Sequence, residues 1–296
     1  MMQLTRYKAS FKKECKALIA HSNGEPNILE MIEKQGKAVS LVAVEQGKVI
    51  GLAAVWSNRV HPFCYYLRLY IDPFLDFTRI GSRMLEEVEK EKLESLPFQI
   101  TAKEEELKLM SLLESAGFAE VRRTYMPMVE VRKDHIERIE KNPEFEWLDF
   151  KQAEREELIK EGLASLVKQN YEETHTVNPA AHMPMEEWDH MIWNGDVWRE
   201  GSYLLVCRTS KEVKAYSFLH KTENTRMAEW GWCGAAEPSL IKWIPSLVAA
   251  QFRFAAFKGI QYLQGEFDST SPYAMEVMNA FSLPKKNTLI TYRQRD

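Results

Sequence analysis

The sequence predicts a mixed α/β fold laid down twice in tandem, each copy a mostly antiparallel mixed sheet flanked by helices. Three observations carry this reading. Ser40–Trp56 (SLVAVEQGKVIGLAAVW) has two β-rich stretches around a polar Gln46-Gly47 turn, the pattern of a hairpin. Leu204–His220 (LLVCRTSKEVKAYSFLH) repeats that pattern without a gap, 164 residues later. Each hairpin then leads through an apolar segment to an acid-proline pair, Asp72-Pro73 and Glu237-Pro238, and on to a helix ending at Gly117-Phe118 or Ser282-Leu283; both pairs of landmarks are 165 apart. One order at one offset indicates duplication, and 296 residues suit two domains of about 150.

In chain order each copy reads strand, helix, hairpin, strand, helix, strand, helix and final strands. After Asp72-Pro73, Met84, Leu85, Val88 and Leu96 fall near one helical face, with Glu86, Glu87, Glu89, Lys90 and Glu91 on the polar side. The charge-rich run Arg132–Glu146, containing Asn142-Pro143, reads as a linker, which gives domains 1–141 and 142–296. The openings of the copies pair Leu4 with Leu148 at an offset of 144, against 164 for the hairpins, so the second copy carries 20 extra residues. They lie in Asn170–Gly201, which holds Trp188, Trp193 and Trp198 and also His175, His182 and His190. Such an aromatic insertion is either an acceptor-binding element or packing between the domains. Beyond it, Ile244, Leu247, Val248, Phe252 and Ala255 form an apolar helical stripe with Pro245 in the first turn. Ala274, Val277, Met278 and Phe281 follow the i, i+3, i+4, i+7 spacing of a last amphipathic helix.

Composition narrows the function. Hydrophobic residues at 45% and charged residues at 28% provide a core and exclude disorder. Thirty-nine Lys and Arg against 43 Asp and Glu leave a net charge of -4, so no global field favours nucleic acid or an anionic membrane. Cys15, Cys64, Cys207 and Cys233 form no C-x-x-C pair, which points to free thiols and to no zinc site. The N-terminus lacks the pattern of a signal peptide and the apolar stretches are too short to span a bilayer. The expectation is a cytoplasmic protein with no metal, no nucleic-acid partner and no membrane partner.

The stretch from Ile71-Asp72-Pro73 to Leu85 (IDPFLDFTRIGSRML) resembles the coenzyme A loop of the GNAT superfamily of acyl-CoA-dependent N-acyltransferases, and the whole chain resembles its tandem members, mycothiol synthase among them. In that family a strand leads through a proline, an Arg or Gln and two or three glycines into a helix. The resemblance implies acetyl-CoA as co-substrate, its pyrophosphate held by backbone amides and the helix N-terminus. Carried over residue by residue, the cofactor-binding set is Ile71, Phe77, Thr78, Arg79, Ile80, Gly81 and Ser82. This sequence keeps Pro73, Ile80, Gly81, Ser82 and Leu85, but places Asp76 at the Arg/Gln position, Phe77 at the first glycine and Arg79 at the second. An inward Asp76 would repel phosphate. Leu107–Val131 resembles the family's helix, Gly-Phe, strand ending, carried by Gly117-Phe118. The tyrosine that many members use as general acid is Leu113 here and Met278 in the second copy; Tyr125, Tyr273 and Tyr292 are the substitutes to weigh.

The second copy has no glycine after Glu237-Pro238, so its loop is the poorer pyrophosphate site, but its preceding strand (MAEWGWCGAAEP) carries Glu229. Straight alternation places Glu229, Gly231 and Cys233 on one face and Trp230 and Trp232 on the other. Some family members have a general-base Glu on this strand, and an amine nucleophile must lose a proton before attacking a thioester. Glu229 is therefore the candidate catalytic residue, against the plainer reading of a solvent-facing strand acid. Glu266 and Asp268 are further acids after the fifth strand, Cys233 reads as a small buried thiol, and His61 lies near an acceptor cleft or caps a turn. The resemblance implies transfer of an acetyl or short acyl group to a primary amine of a small molecule or peptide, by direct attack in a ternary complex. Two alternatives remain at this stage: a catalytically inactive acyl-CoA-binding or partner-binding protein, and an aminoacyl transferase using charged tRNA, which the acidic charge disfavours.

Overall fold

The coordinates are a computed structural model that describes residues 1–295 apart from 23, 25, 26, 35–37, 141 and 194. Lys141, the last residue of the expected first domain, is thus outside the described residues. Contacts group the chain into two units that are discontinuous in sequence: Met1–Arg122 with Val177–Ala181 and Leu289–Asp296, and Arg123–Thr176 with His182–Thr288.

The first unit contains β1 (Gln3–Arg6), α1 (Lys12–His21), α2 (Ile28–Lys34), β2 (Leu41–Glu45), β3 (Lys48–Trp56), β4 (Tyr65–Ile71), α3 (Phe77–Lys90), β5 (Phe98–Lys103), α4 (Leu107–Ser115) and β6 (Phe118–Tyr125), whose last three residues belong to the second unit. The expected hairpin is β2-β3, closed by Gln46 (φ 52°) and Gly47 (φ 76°), the two left-handed residues a type I′ turn needs. The α3 helix buries Ile80, Met84, Leu85 and Val88 on one stripe, and α4 ends on Gly117 at φ 85°. With Leu289–Gln294 near the end of the chain (β14) included, the strand order is β1-β2-β3-β4-β5-β14-β6, antiparallel from β1 to β4 and parallel between β4 and β5.

The second unit contains β7 (Met128–Glu130), α5 (Lys133–Ile136), β8 (Phe145–Asp149), α6 (Phe150–Ala153), α7 (Glu157–Thr174), α8 (Met185–Trp193), β9 (Tyr203–Cys207), β10 (Val213–Lys221), β11 (Met227–Ala235), α9 (Ile244–Phe257), β12 (Tyr262–Gly265), β13 (Phe267–Asp268) and α10 (Pro272–Ala280). The chain's last strand, β14 (Leu289–Gln294), belongs to the first unit and pairs antiparallel with β5 from Leu289↔Lys103 to Arg293↔Gln99. The second sheet runs β7-β12-β11-β10-β9-β8, with β11 and β12 its one parallel pair among the described strands. Its core is the α9 stripe, Ile244, Leu247, Val248, Phe252 and Ala255, packed on Trp230, Leu219, Leu263 and the α10 residues Val277 and Met278. Each such large side chain contributes roughly 1.5–3 kcal/mol by leaving water.

The run read as a linker carries structure. His135 in α5 is buried 4.3 Å from the ring of Phe252 and 6.0 Å from that of Phe281. The tryptophans of the insertion are likewise part of the second unit: Trp188 and Trp193 are buried, and Trp198 packs against the α9 core. Gly47 and Gly117 share left-handed backbone with their counterparts Lys211 (φ 61°) and Ser282 (φ 49°). Among the described residues no helix is long and apolar enough to cross a membrane, and all four cysteines are free.

Candidate functional site

Each sheet has one place where its two parallel strands part. In the first unit β4 pairs with β5 only at Tyr65↔Phe98 and Tyr66↔Gln99, so Leu67–Ile71 has no parallel neighbour. That open edge leads into the loop before α3. Of the expected cofactor-binding residues, Ile71 and Ile80 are core side chains, and Phe77 packs against the same cluster. A Cβ on Gly81 would lie 2.5 Å from Leu112 Cδ2, so this glycine lets α3 pack closely on α4. Thr78 and Arg79 are exposed and Ser82 is half-buried.

Asp76 caps α3: its Oδ1 accepts from the Arg79 amide at 3.0 Å, while the Ile80 amide donates to the Asp76 carbonyl at 3.1 Å. Two of the amides assigned to pyrophosphate are thereby engaged, and those of Phe77 and Thr78 are the remaining first-turn donors. The Arg79 guanidinium lies 4.0 Å from Glu45. At the usual tyrosine position Leu113 is fully buried.

In the second unit β11 pairs with β12 from Met227↔Tyr262 to Trp230↔Gly265, and beyond Trp230 it keeps β10 but has no parallel neighbour. At that point it bulges. Trp230 lies opposite Leu219 and Cys233 opposite Ser217, so Gly231 and Trp232 together oppose Phe218. The extra residue resets the alternation, and the single face expected for Glu229, Gly231 and Cys233 is corrected accordingly. Trp230 packs on Phe252 and Phe267, with Cys233 against the same core, whereas Trp232 turns to Tyr171 and Trp188 at 5.4 and 6.5 Å. Burial pushes the Cys233 thiol up to about 12, so it stays protonated.

Glu229 is half-buried in a row of side chains crossing three strands. His220 on β10 lies opposite it in register, and Gln264 on β12 donates to its Oε2 at 3.1 Å. His220 Nδ1 is 2.8 Å from Asp196 Oδ1. A Cβ on Gly231 would lie 2.1 Å from His220 Nε2, so only glycine leaves room for the ring. His220 and Asp196 were not found by sequence reasoning: a lone His at a strand end and an Asp 24 residues earlier form no motif. The one available signal was that Asp196 falls in the insertion that distinguishes the second copy.

Further along β11, past its pairing with β12, lies a polar cluster. Asn170 on α7 donates through Nδ2 to the Ala235 carbonyl at 3.1 Å and to the Tyr273 hydroxyl at 2.9 Å, while its Oδ1 is buried without a partner. Tyr273 in turn donates to Glu173 at 3.1 Å. Burial, with Glu173 alongside, pushes the Tyr273 phenol up to about 12. Of the three substitute tyrosines, this one stands beside the parting strands. Tyr292 is in the first unit's core, bonded to Glu114 at 3.2 Å, and Tyr125 is buried under Lys285. Met278 is core. Asp268 accepts from the Thr124 hydroxyl, Glu266 is exposed, and His61 Nδ1 is 2.8 Å from the Asn178 carbonyl.

No family model matches the sequence, and no curated protein matches it. Solved structures do. The chain is similar to a GCN5-related N-acetyltransferase from Sphaerobacter thermophilus, with a TM-score of 0.62, 14% identity, and 99% of this chain and 95% of that one covered. It is also similar to a tandem GNAT protein from the clavulanic acid biosynthesis pathway (TM-score 0.57, 9% identity, 99% and 98% covered) and to a GNAT-family acetyltransferase from Colwellia psychrerythraea (TM-score 0.55, 10% identity, 99% and 100% covered). The chain therefore has the tandem GNAT fold.

Proposed function

We propose, with the tandem GNAT fold as premise, that the second unit transfers an acetyl or other short acyl group from a coenzyme A thioester to a primary amine of a small molecule or peptide. The observation that carries this reading is the row His220, Glu229, Gln264 set where β11 leaves β12. A primary amine is protonated at neutral pH and needs a base before it can attack. Glu229 draws the ammonium in and takes its proton, directly or through water. The nitrogen then attacks the thioester carbonyl without a covalent enzyme intermediate, a step that leaves Cys233 unused as a protonated thiol. Tyr273 stays protonated and turns its hydroxyl from Glu173 to the departing thiolate as a hydrogen-bond donor that keeps its proton.

The first unit is proposed to hold a coenzyme A of its own: Phe77, Thr78, Arg79 and Ser82 are the pyrophosphate contacts, with Ile71, Ile80 and Gly81 shaping the loop from the core. A second reading is favoured for the first unit taken alone, namely binding without turnover. The hairpins' gapless offset of 164 places Trp56 at the position of His220, and its register partner is Tyr66, stacked on it at 5.6 Å. No base stands there.

The test is thiol release from acetyl-CoA with a simple alkylamine, an amino sugar and a short peptide in turn. Turnover abolished by Glu229→Gln, with acetyl-CoA binding kept, supports the reading. Full turnover in that variant would move the chemistry elsewhere.

A further inference from the structure

We infer that His220 and Asp196 form a proton relay behind Glu229, a role that rests on the acyl-transfer reading above. An ionised carboxylate only accepts hydrogen bonds, so at 2.8 Å the Asp196 Oδ1 fixes the proton on His220 Nδ1 and leaves Nε2 with the lone pair. The ring is held from both sides. The segment carrying Asp196 is tied to β10 by Lys221 N–H to the Asp196 carbonyl at 3.2 Å and Trp198 N–H to the Leu219 carbonyl at 2.6 Å. On the other side, the bare Cα of Gly231 receives the Nε2 edge.

Register partners have Cβ atoms about 4.5–5.5 Å apart, and His220 and Glu229 make no direct hydrogen bond, so the proposed link between Nε2 and the Glu229 carboxyl is a bridging water. The charged groups facing the ring are Asp196 from the loop before β9 and Glu229 from β11. Lys221, next along β10, turns to the opposite face, over the Trp198 ring at 5.6 Å.

The relay balances as follows. The amine nitrogen loses H⁺ to the Glu229 carboxylate and its lone pair forms the C–N bond to the thioester carbon. The C–S bond breaks with its electron pair leaving on sulfur, and the adduct nitrogen gives its second proton to that thiolate, so that a neutral amide and the coenzyme A thiol leave. The proton on Glu229 passes to the lone pair on His220 Nε2. The imidazolium, flanked by two carboxylates, gives that same Nε2 proton up to solvent water, so the Nδ1–H bond to Asp196 is kept and the ring ends neutral. Glu229 is then ionised for the next turnover. His220 acts through Glu229 and is in that sense a positioning residue, not one that touches the acceptor.

Two variants and two readouts test the relay. His220→Gln keeps the size of the side chain, and Asp196→Ala alters a largely exposed one, so both fold. With acetyl-CoA and the fastest amine of the panel, His220→Gln is expected to lower kcat by at least about tenfold, less than the roughly hundredfold minimum of a direct general acid-base group because His220 acts through Glu229. KM stays within twofold, and the limb of the kcat-pH profile in the imidazole range disappears. Asp196→Ala is also expected to lower kcat with KM unchanged, because the ring is no longer held in one tautomer. Independently of turnover, nitrogen-correlated NMR of the ring is expected to report an Nδ1–H tautomer in the native protein and its loss in Asp196→Ala. Unchanged kcat and profile in His220→Gln, or an Nε2–H ring in the native protein, would overturn the relay and leave acyl transfer standing. Native protein that releases no thiol with any amine would overturn acyl transfer and the relay with it.

Discussion

Replacing Asp76 by alanine is expected to loosen the fold and tighten coenzyme A at once. The carboxylate holds the Arg79 amide at 3.0 Å, and losing an N-cap of this kind costs about 1 kcal/mol, or a drop in Tm of roughly 2–4 °C for a chain of this size. The same carboxylate stands where the pyrophosphate is proposed to approach. Two unit charges about 4 Å apart in water repel by about 1 kcal/mol. Asp76 is exposed, so the high-dielectric value applies, and its removal tightens acetyl-CoA by roughly fivefold at low salt, less as salt rises. Asp76→Ser separates the two effects, since serine caps a helix without charge: affinity rises and Tm holds. Calorimetric titration with acetyl-CoA, paired with thermal melts of the three proteins, reads both quantities. Weaker or unaltered binding in both variants would refute the first-unit loop as the pyrophosphate site.

Gly231→Ala is expected to drive a Cβ to within 2.1 Å of His220 Nε2, displacing the ring or costing about 1–3 kcal/mol in a urea titration; an unchanged midpoint with an unchanged His220 NMR signal would show the bulge to be slack. Asn170→Ala leaves the Ala235 carbonyl and the Tyr273 hydroxyl without their donor and should destabilise the protein by about 2–3 kcal/mol in the same assay; a loss under half a kcal/mol would mean water replaces the amide. Cys207 is the reactive thiol: hydrogen bonds from Ser210 and Thr209 pull it down to about 6, while burial holds Cys64 at about 11 and Cys15 and Cys233 at about 12. Iodoacetamide at pH 7 should label Cys207 first, with a rate that levels off above that pH, and equal labelling of Cys64 would contradict the assignment.

What could be read from the sequence was whatever local chemistry decides. The β2-β3 turn follows from Gln46-Gly47, and the helical faces of α3, α9 and α10 follow from their period, because each is settled within one element. The bulge at Gly231-Trp232 was out of reach: the letters EWGWC alternate as any flat strand does, and the extra residue shows only against the partner Phe218. The unit to which β14 belongs was out of reach for a related reason. LITYRQ reads as a strand, but nothing local says that its neighbour is β5. The charged run from Arg132 looked like a linker because one buried His135 among nine charged residues leaves no periodic trace. Asp76 is a mixed case. It stood out in the sequence for the anion it would repel, while its capping role needed only the rule that Asp favours the residue before a helix.

The two hairpins allow a comparison inside one molecule. Their offset matches His220 to Trp56, and the register partners are Glu229 and Tyr66. In the second unit that position holds an acid and an imidazole fixed by Asp196, and Asp196 lies in residues the first copy does not have. In the first unit the same position holds a stacked aromatic pair with nothing to titrate near neutral pH. The proposed pyrophosphate loop is distributed the other way: the residues that match the family's pattern, Pro73, Ile80, Gly81, Ser82 and Leu85, are in the first copy, and the second has no glycine after Glu237-Pro238. On the reading proposed above, the first copy binds and the second transfers. That division predicts an asymmetry that mutagenesis can read. Glu229→Gln should abolish turnover and leave acetyl-CoA binding by the first unit intact, and Arg79→Ala should weaken that binding and leave kcat and KM of the transfer unchanged. Turnover lost in Arg79→Ala and kept in Glu229→Gln would move the chemistry to the first unit.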